Sequence, residues 1–285
     1  MKEEKINPIN RINLHLHTTV SDGALTPAQI VRRCAQIGLD LISITDHDTC
    51  DAYKLLEMED LPLRILPGME VSSMHEGTDV HVLAYGCKME DPGLVEMMDM
   101  YRSGRRERAV RMIEKLADLD VNISLEEVVG VSGSRELIVR PHIAQILVKR
   151  GYAKNKNEAF DKYIGNFGPA YSPKPELSVK KVVDIIHAAG GLAVIAHPGK
   201  LFKASYIKEF IGMGIDGLEI WHPDHQPFEV EEFARLCREH GLYMTAGSDF
   251  HGEKDKHNLF DSVPATEEIL ASVSKIWERY KCSVN

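Results

Sequence analysis

Two histidines, His15 and His17, stand one residue apart in the segment INLHLH. Apolar and polar residues alternate in this segment, which is typical of a strand with one face turned to a core. Because strand side chains alternate between faces, both imidazoles point the same way, as two ligands of one divalent ion do. The same pattern also occurs by chance on solvated strands, so the pair alone does not establish a metal site.

Further ionisable residues follow or interrupt apolar segments elsewhere. These candidates are Asp22, Asp46, His47, Glu70, His81, His197, Asp249 and His251. Each has an ordinary alternative, such as a turn residue for Asp22, a solvated loop residue for Glu70 or a core histidine for His81. Leaving Asp46 aside, six histidines and three carboxylates at one rim would be unfavourable to desolvate unless cations neutralised them. The combination therefore predicts a multinuclear metal site.

The elements that must position these residues alternate along the chain. Seven strand-like segments are predicted, at residues 12–17, 39–45, 63–66, 80–85, 192–196, 217–221 and 242–246. Helices between them favour a parallel α/β sheet, most simply closed as a barrel. Nearly every candidate lies at the carboxyl end of its strand, which is the rim where barrel enzymes build active sites.

One long stretch, residues 99–175, breaks this alternation and is predicted to be helical throughout. We therefore expect a core domain formed by residues 1–98 and 176–285, with 99–175 as an inserted helical subdomain. The insertion carries 14 basic and 10 acidic residues, a net charge of +4, against −13 for the rest of the chain. A positive subdomain beside an acidic core suits an anionic substrate. An ordinary helical bundle with uneven surface charge is the alternative.

Composition excludes several classes of protein. The 285 residues are 44% hydrophobic and 27% charged with a net charge of −9, which disfavours a disordered chain and a clamp for long duplex nucleic acid. The five cysteines are scattered without a C-x-x-C pair, so neither a disulfide framework nor a thiolate metal site is expected. An apolar signal core and membrane-length apolar segments are absent, and we expect a cytoplasmic protein that does not bind a membrane.

The motifs together resemble a known family. His15-x-His17, Asp22-Gly23, Thr45-Asp46-His47, Gly68-x-Glu70, His81, Ala196-His197-Pro198 and Ser248-Asp249-x-His251 are similar to the motifs of the PHP (polymerase and histidinol phosphatase) superfamily of metal-dependent phosphoesterases. The resemblance covers essentially the whole chain. It implies a distorted (β/α)7 TIM-like barrel with three divalent ions at its carboxyl-terminal rim. Residues 253–256 depart from it, being more charged than the glycine-rich loop expected there.

The resemblance also assigns ligands. It implies one ion held by His15, His17, Glu70 and Asp249, a second held by Glu70, His81 and His197, and a third held by Asp22, His47 and His251. Asp46 is expected to orient a ligand or move a proton. Imidazole and carboxylate donors without thiolate suit Mn²⁺, Fe²⁺ or Zn²⁺, of which Mn²⁺ is favoured. Such ions activate water for attack on a phosphate ester.

The insertion narrows the expected substrate. Arg140-Pro141-His142 resembles an element of one PHP branch, which contains nucleoside 3′,5′-bisphosphate phosphatases and 5′-to-3′ exoribonucleases acting on short RNA. Arg140 is expected to grip a second phosphate, with His142 beside it, although an ordinary surface arginine is the alternative. Arg105 falls on the apolar face of its predicted helix. We expect it to contact the substrate, and the alternative is a surface arginine whose charged end extends to solvent.

His222 and His225 follow another predicted strand at the same rim. We expect His222 to contact the substrate or donate a proton, and His225 to line the substrate side. The resulting hypothesis is a metal-dependent phosphoesterase acting on nucleoside 3′,5′-bisphosphates or short 5′-phosphorylated RNA. A histidinol-phosphate phosphatase and a catalytically silent structural module are the alternatives.

Overall fold

The computed structural model describes residues 8–56, 61–132, 138–173, 177–201, 203–252, 260 and 263–284. The chain divides into two compact units. The first unit comprises Met1–Leu94 and Leu177–Asn285, and the second comprises Val95–Glu176. The charged segment 253–256 lies outside the described residues.

The strands all belong to the first unit. In chain order they are β1 (Ile12–Leu16), β2 (Leu41–Ile44), β3 (Arg64–Ile65), β4 (Gly68–His75), β5 (Thr78–Tyr85), β6 (Leu192–Ile195), β7 (Gly217–Trp221) and β8 (Tyr243–Ala246). Three of them form a parallel sheet in the order β1-β2-β3. The other five form a second sheet in the order β4-β5-β6-β7-β8. Within the second sheet, β6, β7 and β8 are parallel.

Nine α-helices occur in the described residues. In chain order they are α1 (Pro27–Gln36), α2 (Pro92–Ala117), α3 (Leu125–Ser132), α4 (Arg140–Lys149), α5 (Lys156–Ala159), α6 (Val179–Ala188), α7 (Tyr206–Met213), α8 (Pro227–His240) and α9 (Glu267–Val284). A 3₁₀ turn at Asp51–Leu55 follows β2, where a short helix is predicted. Of the helices described, none is both long enough and apolar enough to cross a membrane.

The prediction of a wholly parallel sheet is wrong at β5. This strand runs antiparallel to both of its neighbours, β4 and β6, and β4 is an eight-residue strand that the sequence pattern missed. The hairpin between β4 and β5 turns at Glu76 and Gly77, whose φ angles of 47° and 77° are those of a two-residue turn that matches strand twist. A hairpin needs no crossover helix, so the alternation of strand and helix is interrupted here.

Backbone pairs join the two sheets at the carboxyl ends of β1 and β2. Leu16 pairs with Phe250, which follows β8, and His47 pairs with Glu70 in β4. The Asp249 amide donates to the His15 carbonyl at 3.0 Å. These pairs place the ends of four chain segments side by side along one edge.

An apolar cluster packs next to this edge. Leu16 and Phe250 pack in it with Ile30 of α1 and with Ile44 and Ile65 of the first sheet, all of them buried. Burying an aliphatic side chain of this size stabilises the fold by about 1.5–3 kcal/mol. The residues next to the site are therefore held by packing as well as by backbone hydrogen bonds.

The second unit contains no strand among its described residues. Helix α2 begins in the first unit and continues into the second, where α3, α4 and α5 follow, with a π-helical turn at Phe160–Ile164. The unit has its own apolar core, in which Met112 and Leu116 of α2 cluster with Ile143 and Leu147 of α4. It is thus a small helical unit with independent packing.

Candidate metal centre

The centre lies where β1, β2 and β8 end and where β4 begins. His15 and His17 lie at the end of β1, and both side chains are fully buried. All five residues of β1 are buried, so the polar face of this strand is covered as completely as its apolar face. Because the imidazoles sit on the covered face, their burial must be compensated by specific partners.

The structure brings the nine predicted ligands together. Eight of them form three overlapping groups whose ligand atoms lie within 4.8 Å of one another: His15-His17-Glu70-Asp249, His17-Asp22-His47-His251 and His47-Glu70-His81. The first group is the set expected for one ion, and the second adds His17 to the set expected for another. In the third group His47 joins Glu70 and His81. The ninth ligand, His197, contacts Glu70 as well.

Glu70 occupies the middle of the cluster. Its Oε1 lies 2.8 Å from Nδ1 of His81 and 3.0 Å from Nε2 of His197. Its Oε2 lies within 3.0–3.4 Å of one ring nitrogen from each of three further residues, His15, His17 and His47. One buried carboxylate thus faces five imidazoles, the arrangement needed for a carboxylate that bridges two ions.

The two aspartates contact different parts of the same ring cluster. Asp249 Oδ1 lies 3.2 Å from Nε2 of His17 and 3.4 Å from Nε2 of His15. Asp22 Oδ1 lies 3.3 Å from Nε2 of His251, and Asp22 Oδ2 lies 3.8 Å from Nε2 of His47. The carboxylates are therefore spread over the cluster and do not crowd at one point.

Several buried ligand atoms lack a hydrogen-bond partner, which tests whether metal ions fit. Within the described part of the chain these orphaned atoms include Nε2 of His15, both ring nitrogens of His17, Nδ1 of His47 and Oε2 of Glu70. Buried polar atoms in folded proteins are almost always paired. Here they converge within metal-ligand reach of one another. Divalent cations coordinated by nitrogen and oxygen would satisfy them, so the residues fit the ions.

The electrostatics favour the protonation states that bind metal, which are the ionised form of the three carboxylates and the neutral form of two imidazoles. Burial alone would raise the pKa of Asp22, Glu70 and Asp249, but the neighbouring imidazoles lower each of these pKa values well below the usual range. Burial lowers the pKa of His47 to about 3 and that of His197 to about 4, despite the nearby charge of Glu70. The three carboxylates are therefore ionised, and these two imidazoles are neutral, at pH 7.

Asp46 anchors the loop that follows β1. Its carboxylate accepts hydrogen bonds from the Thr18 amide (2.7 Å), the Thr18 hydroxyl (2.7 Å) and the Ser21 hydroxyl (2.6 Å). This loop leads directly to Asp22. Asp46 therefore orients the segment that carries a predicted ligand.

His222 and Lys200 hold the outer oxygen of Asp249. Nδ1 of His222 accepts from the Asp224 amide at 3.1 Å, so the ring proton is on Nε2, which donates to Asp249 Oδ2 at 3.2 Å. The Lys200 ammonium lies 3.2 Å from the same oxygen. Oδ1 is thus directed towards His15 and His17.

His225 connects two loops. Its Nδ1 donates to the Ile220 carbonyl at 2.9 Å, and its Nε2 accepts from the Gly199 amide at 3.3 Å. The ring is buried and packs edge-on against Phe233. Because both nitrogens are bonded to backbone groups, the ring joins the segments after β6 and β7, and its contact with substrate stays a prediction.

Three predicted substrate-binding residues lie in the second unit. Arg140, at the start of α4, donates to Asn166 Oδ1 at 2.7 Å, and its guanidinium lies 5.5 Å from the ring centroid of Phe160 and 5.8 Å from that of Tyr171. His142 Nδ1 accepts from the Val139 amide at 3.3 Å, which caps the same helix. Both side chains, like Arg105 in α2, are half-buried.

Comparisons with known proteins identify the family. The family model described as "PHP domain" matches residues 13–170. The chain is 31% identical over 253 residues to the 5′-3′ exoribonuclease Rnm of Escherichia coli (84% of each chain), and 31% identical over 282 residues to the 3′,5′-nucleoside bisphosphate phosphatase of Chromobacterium violaceum (96% of this chain, 97% of that one). A solved structure described as a metal-dependent phosphoesterase, from Bifidobacterium adolescentis, matches with a TM-score of 0.83 and 30% identity over 95% of this chain and 97% of that chain.

The chain belongs to the PHP family. It is accordingly an enzyme that hydrolyses phosphate esters. The PHP motifs in the sequence are the ones that meet at the strand ends described above.

Sequence reasoning missed two residues of this PHP centre. Glu219, fully buried in β7, contacts Nδ1 of His15 at 3.0 Å, and Lys200 contacts Asp249. A glutamate within the apolar strand GLEIW is an unusual buried charge, and this was the available signal for Glu219. Lys200 follows His197-Pro198-Gly199 in a 3₁₀ turn, and no local pattern marked it.

Proposed function

We propose that this PHP enzyme removes a phosphate from nucleoside 3′,5′-bisphosphates such as 3′-phosphoadenosine 5′-phosphate. Short 5′-phosphorylated RNA, trimmed from its 5′ end, is the second proposed substrate of the same site. Two relatives with about 31% identity are named for these activities, which supports the proposal. Long duplex nucleic acid is not a proposed substrate because the chain is acidic overall.

Three divalent ions, Mn²⁺ by preference, are the proposed cofactors. His15, His17, Glu70 and Asp249 would hold one ion, Glu70, His81 and His197 a second, and Asp22, His47 and His251 a third. Ions bound in this way neutralise phosphate oxygens and lower the pKa of a water molecule enough to make it a nucleophile near neutral pH. The orphaned buried atoms of His15, His17 and Glu70 support the assignment.

The chain's own residues complete the proposed mechanism. Asp46 holds the loop that carries Asp22, and Lys200 holds Asp249. His222 carries a proton on Nε2 at the rim and is the proposed donor to the leaving oxygen. In this proposal none of the nine proposed ligands transfers a proton.

The preference for a second phosphate depends on Arg140. Its guanidinium is held by Asn166 and lies near two aromatic rings, so its position is fixed before a ligand arrives. A pre-positioned guanidinium binds phosphate strongly because it loses little side-chain entropy. This observation carries the substrate proposal, with Arg105 and His142 as further proposed contacts.

The proposed architecture unites the two sheets. The backbone pairs Leu16–Phe250 and His47–Glu70 support a single distorted (β/α)7 TIM-like barrel, interrupted by the β4–β5 hairpin. The second unit would then be the inserted substrate-binding subdomain.

A comparison of substrates tests the function. We expect kcat/KM for 3′-phosphoadenosine 5′-phosphate to exceed that for histidinol phosphate in Mn²⁺-loaded enzyme. Preference for histidinol phosphate would overturn the substrate assignment and leave the metal chemistry in place. Fewer than two bound ions per chain, in protein purified without chelator, would instead favour a structural module without catalysis.

A further inference from the structure

Glu219 links two of the proposed ligands from a position in the middle of β7. It is fully buried. Its Oε1 lies 3.0 Å from Nδ1 of His15, and its Oε2 accepts a hydrogen bond from the His197 amide at 2.7 Å. Both carboxylate oxygens are therefore used, each by a different residue of the metal centre.

We propose that Glu219 is the positioning residue that prepares His15 and His197 to bind metal. It fixes the ring tautomer of His15 and the backbone of His197, and so governs two of the three proposed ion sites. This inference rests on the proposed metal centre, but it does not depend on which phosphate ester is hydrolysed.

The tautomer of His15 follows from its partner. An ionised carboxylate has no proton to donate, so Nδ1 of a neutral His15 must carry the ring proton. Nε2 is then left with its lone pair, and it lies 3.4 Å from both Glu70 Oε2 and Asp249 Oδ1 without a hydrogen bond. A carboxylate behind a metal-binding histidine fixes its tautomer and orientation in this way.

The backbone at His197 is the second point of control. His197 has a left-handed conformation, with φ 31° and ψ 57°, which non-glycine residues rarely adopt. Its amide donates to Glu219 while its ring reaches Glu70 at 3.0 Å. The hydrogen bond that the His197 amide donates to Glu219 thus holds the strained residue whose imidazole faces the centre.

Gly247 shows that space is reserved for this pair. A Cβ atom at position 247 would lie 2.9 Å from Oε1 of Glu219 and would overlap the His15 side chain. Only glycine leaves room for the carboxylate and imidazole to approach here. Packing alone would be served by an apolar residue in β7, whereas a buried carboxylate is favourable only when both oxygens are satisfied.

The substitution Glu219→Gln separates positioning from packing because it keeps the size of the side chain. The amide offers one acceptor and one donor in place of two acceptors. If its NH₂ faces His15, the ring proton moves to Nε2 and blocks the ligand atom. If its NH₂ faces His197, two N–H donors oppose each other.

The measured quantity is the affinity for Mn²⁺. It is determined by elemental analysis after dialysis and from the electron paramagnetic resonance signal of free Mn²⁺. We expect Glu219→Gln to weaken the sites that use His15 and His197 by about 10- to 100-fold. The Asp22-His47-His251 group does not contact Glu219, so its ion should be retained. Glu231→Gln, an exposed substitution on α8, is the matched control and should bind as the unmodified protein does.

Two outcomes would overturn the proposal: unchanged Mn²⁺ affinity in folded Glu219→Gln, or equal weakening of all ion sites. If Glu219→Gln does not fold, Glu219→Asp replaces it. Asp keeps the charge but is too short to reach both His15 and His197, so it should also lose affinity selectively, and full Mn²⁺ binding by this variant would refute the role. Protein that binds Mn²⁺ but does not hydrolyse nucleoside bisphosphates would refute the proposed substrate and leave this test valid.

Discussion

At the scale of single residues, the centre depends on Glu70. One carboxylate contacts imidazoles supplied by β1, by the segment after β2, by β5 and by the segment after β6. Its position in β4 puts both oxygens inside the cluster with 1% of the side chain exposed. Substitutions there affect more than one proposed ion at once, whereas substitutions at Arg140 leave the cluster intact.

Glu70→Gln should nearly abolish turnover. The amide cannot bridge two cations, and it places a donor among ring nitrogens that need an acceptor or a metal. We expect kcat on p-nitrophenyl phosphate to fall by at least about 100-fold, together with the Mn²⁺ content. Glu96→Gln, an exposed change in α2, is the control. Normal turnover in Glu70→Gln would contradict the bridging role.

Arg140→Ala should act on substrate binding. Removing a charge-assisted contact to a second phosphate, worth about 1.5–3 kcal/mol, should raise KM for 3′-phosphoadenosine 5′-phosphate by about 10-fold or more. The kinetics on p-nitrophenyl phosphate, which has one phosphate, should not change. Arg150→Ala, which removes an exposed ion pair with Glu127 at the other end of α4, is the control. Similar losses on both substrates would show that Arg140 does not grip a second phosphate.

At the scale of elements, the site depends on how β2 and β4 are held together. Tyr53, in the 3₁₀ turn after β2, donates from its hydroxyl to the Ile44 carbonyl at 2.6 Å and accepts from the Gly68 amide at 2.9 Å. The hydroxyl thus joins the end of β2 to the start of β4. Glu70 lies two residues after Gly68, so the same hydrogen bond fixes the position of Glu70 along β4 relative to the end of β2.

Tyr53→Phe should therefore destabilise the fold with little effect on the chemistry of folded enzyme. Loss of these hydrogen bonds should lower the free energy of unfolding by about 1–3 kcal/mol, measured from urea denaturation of the Mn²⁺-free protein. Tyr152→Phe, whose half-buried hydroxyl accepts a single amide hydrogen bond from Asn122, should have a smaller effect. Equal stability of Tyr53→Phe and the unmodified chain would refute the linking role.

At the scale of the whole molecule, folding buries carboxylates whose negative charge is balanced by protonated histidines when no metal ion is bound. Burial by itself would lower the pKa of His17, but in the metal-free protein its contacts with Asp249 and Glu70, together with the charges of Glu70 and Asp22, raise it to about 10. The pKa of His15 is raised in the same direction by Glu219, Glu70 and Asp249, against its burial. Cations and protons therefore compete for the same rings.

The metal-free protein should lose stability as the pH rises from about 6.5 to 10. Protonated His17 stabilises the folded state fully below about pH 6.5, the unfolded pKa, and this contribution disappears as the pH approaches the folded pKa of about 10. His47 and His197, with folded pKa values of about 3 and 4, are neutral in the folded state throughout this range, and in the unfolded state they are largely neutral above about pH 7.5, so they add little slope beyond that pH.

Thermal unfolding between pH 6.5 and 10 measures this effect. We expect Tm of EDTA-treated protein to decline across the range, and Mn²⁺ to raise Tm most at the alkaline end, where fewer protons must be displaced. His17→Gln should flatten the decline, and His240→Gln, at an exposed position on α8, should leave it unchanged. A Tm that does not vary with pH in the EDTA-treated protein would contradict the claim that protonated His17 stabilises the metal-free fold.

The sequence by itself determined the residue types of the predicted ligands and, for most of them, the strand ends near which they lie. The period-two spacing of His15 and His17, and the apolar runs before His47, His197 and Asp249, depend only on neighbouring residues, and their consequences are local. Only the tertiary structure decided what those side chains meet. Glu70 and His197 are 127 positions apart and His15 and Glu219 are 204 positions apart, so no local pattern reports either contact. The antiparallel course of β5 and the backbone bonds of His225 were decided in the same way, because strand pairing and burial are satisfied by partners distant along the chain.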